Sequence, residues 1–143
     1  MTRMELDINE AAFTGDLRGI IFALDEGQDP QAKDHTGTTP LHKAAANGHV
    51  ECLQLLAERG GDINQPDITG STSLHAAARN GHIKAVKWLV NNGSDIRARS
   101  RKGNTAEDVA KAHGQFEVSG FLREWGREKF DWEIDSGTFA GRS

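Results

Sequence analysis

Six histidines, one cysteine and 21 acidic residues are the side chains in this 143-residue sequence best equipped for chemistry. Histidine binds metals and moves protons, so the placement of the six decides the first question. Four of them fall into two registers, His42 with His75 and His49 with His82, each pair 33 residues apart (42 to 75, 49 to 82). A constant interval of that size sets equivalent residues one structural unit apart, as the rungs of a ladder, whereas zinc needs its ligands gathered around one ion. His35 and His113 belong to neither register. There is no Gly-x-Gly-x-x-Gly, Walker loop or His-Glu-x-x-His. Nothing in the spacing supports a carboxylate pair or a Ser-His-Asp arrangement. No catalytic residue, metal site or cofactor is expected.

The interval also governs the elements that position these residues. Gly37-Thr38-Thr39-Pro40-Leu41-His42-Lys43-Ala44-Ala45-Ala46-Asn47-Gly48-His49 returns as Gly70-Ser71-Thr72-Ser73-Leu74-His75-Ala76-Ala77-Ala78-Arg79-Asn80-Gly81-His82. It returns again, degenerate, as Gly103-Asn104-Thr105-Ala106-Glu107-Asp108-Val109-Ala110-Lys111-Ala112-His113-Gly114, and a step backwards puts Ala11 under Ala44 and Gly15 under Gly48. The physical reading is a helix that starts on a threonine cap, with Pro40 at its first position, where the missing N–H costs nothing. Leu41, Ala44 and Ala45 face neighbouring repeats, and Gly48 ends the helix in a left-handed turn. A second helix follows, with Val50, Leu53, Leu55 and Leu56 recurring as Ile83, Val86, Trp88 and Leu89, then as Phe116, Ser119, Phe121 and Leu122.

Thr39-Pro40-Leu41-His42-Lys43-Ala44 and its echoes resemble the ankyrin-repeat signature over roughly residues 5–125. The resemblance implies an all-α solenoid of stacked helix-turn-helix units with projecting β-hairpin loops. Repeats are expected at about 5–33, 34–66, 67–99 and 100–125, within a domain of residues 1–125. From Trp125 the period is lost, and residues 126–143 are expected to form a C-terminal tail, helical at most in its first turns. Phe130, Trp132 and Ile134 alternate with Asp131, Glu133 and Asp135, which fits an extended segment with one face buried. Such a segment either folds back over Phe121 and Leu122 or offers Trp132 to a partner.

Composition narrows the classes further. With 36% hydrophobic and 27% charged residues and no long apolar run, a soluble chain is expected, without a membrane span or signal core. Cys52 alone makes no internal disulfide and fits a reducing compartment. The expected location is cytoplasmic, extending to the nucleus or a cytoskeletal assembly. A net charge of −4 argues against nucleic acid as the main partner. The expected protein is a monomer on its own that binds other proteins.

The resemblance implies that partners lie against the hairpin tips and the exposed edge of the first helices. Transferred by register, the partner-binding positions are His35, Thr36, Thr38, Asn47, Ile68, Thr69, Ser71, Arg79, Asn80, Arg99, Arg101, Lys102, Asn104 and His113, to which the tail adds Trp132. His42 and His75, by the same resemblance, hydrogen-bond the backbone of the adjoining turn. Ile68 stands at a tip where an apolar side chain gains from being covered. Arg97, Arg99, Arg101 and Lys102 put four positive charges within six residues of an acidic chain, a dock for an acidic segment. Leu56 with Asp62-Ile63-Asn64 has the spacing associated with asparaginyl hydroxylation, against consensus packing of Asn64 as the simpler account. The function expected is a non-catalytic interaction module, an adaptor or scaffold subunit. The alternative is a small regulator that inhibits or tunes an enzyme or cytoskeletal partner by occupying its surface.

Overall fold

The computed structural model describes residues 7–134. Eight α-helices lie among the described residues, in four antiparallel pairs: α1 (Ile8–Thr14) with α2 (Leu17–Asp25), α3 (Pro40–Ala46) with α4 (Val50–Glu58), α5 (Ser73–Arg79) with α6 (Ile83–Asn91), and α7 (Ala106–Ala112) with α8 (Phe116–Ile134).

Each first helix begins on a side chain able to replace a missing backbone partner. Asp7 accepts from the Asn9 N–H at 3.1 Å. At Thr39 the cap is reciprocal: its N–H donates to His42 Nδ1 at 3.1 Å, and the His42 N–H donates to its Oγ1 at 3.4 Å. In the last repeat Asp108 takes the place of histidine in the same box, accepting from Thr105 N–H at 2.9 Å. Gly48 closes α3 with φ at +73°. A methyl group there would also lie 2.7 Å from His82 Nδ1, so geometry and neighbour both demand glycine.

The first helices α1, α3, α5 and α7 stack side by side, and the second helices pack behind them. Ala44, Ala45, Ala77 and Ala78 are wholly buried in that stack, where a longer side chain would force the helices apart. Leu41, Leu53, Leu56, Leu74, Val86 and Leu89 fill the space between the layers. Cys52 is buried there too, and burial, with Glu51 and Asp16 near it, pushes its thiol up to about 11.

The connectors project as tight turns closed by Gly37, Gly70 and Gly103. Asp34 N–H bonds Thr38 O at 3.0 Å, Asp67 N–H bonds Ser71 O at 2.9 Å, and Ser100 N–H bonds Asn104 O at 2.9 Å. Adjacent tips are tied by Ile68 N–H to Thr36 O at 3.1 Å and Arg101 N–H to Thr69 O at 2.8 Å. No described residue is in a β-strand, so the expected β-hairpins are hydrogen-bonded turns too short to build a ladder.

The end of the chain departs from expectation. α8 has 19 residues against 9 in α2, α4 and α6, and runs unbroken through Ile134. The extended segment expected from Asp131 is therefore helical up to Ile134. Arg127 pairs with Glu124 at 3.8 Å, Lys129 lies 5.1 Å over the Trp125 ring, and no proline interrupts the helix. The Phe130, Trp132 and Ile134 side chains, and Phe139, lie outside the described residues, and with them both roles expected of the tail.

Candidate partner-binding groove

The hairpin tips and the first helices enclose a groove of about 1060 Å³. Its floor comes from the residue following His42, His75 and Asp108 in each repeat: Lys43, Ala76 and Val109, again 33 apart. Sequence reasoning missed this row, although the period alone marks it. Of the expected positions, Thr38, Ile68, Thr69, Ser71, Arg79, Asn80, Arg101, Lys102, Asn104 and His113 line the groove.

The others lie elsewhere. His35 is exposed beyond the groove, and the Thr36 hydroxyl is spent on Asp34 Oδ1 at 2.6 Å. Arg99 turns back to its own hairpin, donating to Gly103 O at 2.8 Å. Asn47 is not among the lining residues, and its amide donates to Phe13 O at 3.0 Å. Asn80 spans the repeats in the same way, donating to Ala46 O at 2.7 Å while lining the groove. Asn80→Ala should cost about 0.5–1.5 kcal/mol of stability, the net value of one hydrogen bond, as read from a urea titration.

Two kinds of surface meet in the groove. Phe13 (52% exposed), Ala46 and Ile68 (56% exposed) give an apolar stretch beside the first two repeats. Arg79, Arg101 and Lys102 give a cationic one beside the last two, with His113 next to them. His113 donates from Nδ1 to Val109 O at 3.0 Å, which leaves Nε2 for the groove.

At the base of the groove, which both also line, His42 and His75 tie each repeat to the next. The Nδ1 of each accepts a backbone N–H, from Thr39 and from Thr72, both at 3.1 Å. A nitrogen that accepts there carries no proton, so the opposite Nε2–H donates, to Ser71 O and to Asn104 O, both at 2.9 Å. Burial lowers the His42 pKa from 6.5, and protonation would also cost the Thr39 bond. The unfolded chain then takes up that proton first, so the contribution of His42 is complete above about pH 6.5 and is lost as pH falls through the lower folded value. A urea midpoint that drops from pH 7.5 to pH 5.5 is expected, with a shallower drop in His42→Gln; equal slopes would contradict the assignment.

Asp34 anchors the first of these turns. Burial pushes its carboxyl up, but the bonds from Lys43, Thr36 and Thr38 outweigh this and hold it well below the usual carboxylate range. Asn64 is bonded at both ends of its amide, to Gly93 O at 3.0 Å and from Asp95 N–H at 2.8 Å. It holds adjacent loops together, as consensus packing requires. Among the described residues, no three His, Cys, Asp or Glu side chains converge on a possible metal site, and no helix is long and apolar enough to cross a membrane.

Comparison with known families agrees with this geometry. The model described as Ankyrin repeats (3 copies) matches residues 8–100. The chain belongs to the ankyrin-repeat family. No curated protein matches it. The ankyrin match spans α1 to α6 and the first two hairpin tips, and its members generally mediate protein–protein interaction.

Proposed function

We propose that this ankyrin protein is a non-catalytic adaptor or scaffold subunit that holds an acidic segment of a protein partner in its groove. One observation carries the reading. Arg79, Arg101 and Lys102, from two consecutive repeats, line one groove of a chain whose net charge is −4. Like charges gathered in a concavity cost solvation and mutual repulsion, which an anionic ligand relieves. The apolar stretch formed by Phe13 and Ile68 adds area for a hydrophobic side chain next to the acidic ones. The structural hydrogen bonds of Asn80, His42 and His75 fix the groove before anything binds, which lowers the entropy cost of association.

Affinity capture from cell extract with proteomic readout tests the reading, comparing the native chain with the variant Arg79→Glu, Arg101→Glu, Lys102→Glu. A protein retained by the native chain and lost by the variant, at unchanged helicity, is the expected result. Identical capture by both would remove the groove as the binding surface.

A further inference from the structure

Two positions recur together along the repeats. Asp34, Asp67 and Ser100 open the three hairpins, while Lys43, Ala76 and Val109 stand nine residues later on the helices behind them. In the first unit the two close on each other. Asp34 Oδ1 accepts from Thr36 N–H at 2.8 Å, Thr36 Oγ1–H at 2.6 Å and Thr38 N–H at 3.0 Å, and Oδ2 takes Lys43 Nζ at 2.8 Å.

In the second unit the carboxylate is held in the same way. Asp67 Oδ1 accepts from Thr69 N–H at 2.8 Å, Thr69 Oγ1–H at 2.7 Å and Ser71 N–H at 3.0 Å. The lysine is missing, because Ala76 occupies its register. No described cation pairs with Asp67, not even Arg79, Arg101 or Lys102, which line the same groove. In the third unit Ser100 and Val109 carry no charge. Asp67 is thus the one carboxylate among the residues lining the groove, and the space over Ala76 is open.

We propose that Asp67 and Ala76 form a subsite for a lysine or arginine side chain of the bound partner, which lies over Ala76 as Lys43 lies beside Asp34. The inference rests on reading the groove as the partner site and sharpens its ligand. The segment carries a basic residue for Asp67 and acidic residues for Arg79, Arg101 and Lys102. The carboxylate is already oriented by three hydrogen bonds, so an incoming cation gains a charge-assisted bond without ordering the acceptor. The methyl of Ala76 leaves room for a stem that Lys43 fills in the preceding repeat.

Ala76→Lys supplies the missing cation from within, and Asp67→Asn removes its acceptor. A random peptide library selected on the native chain should yield peptides with lysine or arginine at one fixed position among acidic residues. On either variant that basic preference should disappear while the acidic preference stays, and the native-selected peptides should bind about tenfold more weakly or worse. Selection without a fixed basic residue, or a basic preference that survives Asp67→Asn or Ala76→Lys, would overturn the subsite. If the Arg79→Glu, Arg101→Glu, Lys102→Glu variant enriches the same peptides as the native chain, the groove itself is not the site and the wider reading fails with it.

Discussion

Leu74→Ala should lower the free energy of unfolding by about 2–5 kcal/mol, a large part of the stability of a domain this size. Leu74 is 1% exposed on the first turn of α5, within the contiguous core that joins the helix layers. Its truncation leaves a cavity that the stack closes poorly, because the neighbouring alanines have no spare side chain to move into it. Repeats contact only their neighbours, so the loss is expected to separate the unfolding of the two halves and broaden the transition. Chemical denaturation followed by circular dichroism measures both effects. An unchanged midpoint would show that the register assigned to α5 is wrong.

The second large effect is on binding. Reversing Arg79, Arg101 and Lys102 together should weaken capture of the partner by about a hundredfold or more, since each reversal removes an attraction and adds a repulsion. These side chains are exposed, so the melting temperature should stay within about a degree or two of the native value, as for surface substitutions in general. The native complex should also weaken as salt is raised, because the contacts lie in a wetted groove. Binding insensitive to both salt and charge reversal would mean that the apolar stretch around Phe13 and Ile68 carries the affinity.

Much of this architecture was legible in the residues, for a physical reason. A stacked repeat solves the same packing problem at a fixed interval, so Leu41 and Leu74, Ala44 and Ala77, and His42 and His75 announce each other. Where the interval stops, so does legibility. The aromatic and acidic alternation from Phe130 looks extended, yet the backbone stays helical through Ile134, because the preceding turns propagate at little cost. Phe116 stands on the apolar register of the second helices but is 69% exposed, an outcome that its register alone does not announce. The site was half legible. Arg101 and Lys102, placed by register, line the groove, but Arg99 curls back to Gly103, a side-chain choice no periodicity encodes. The Lys43–Asp34 pair at 2.8 Å was invisible for another reason: it forms only because the hairpin folds back over the helix behind it.

The central claim is that partners bind between the hairpin tips and the first helices. Hydrogen exchange of the native chain, alone and with the protein retained in affinity capture, tests it most directly. The account predicts new protection at residues 67–71 and 100–104 and along α5, with α4 and α6 unchanged. Protection confined to the outer faces of α4 and α6, with the tips exchanging as freely as before, would contradict it.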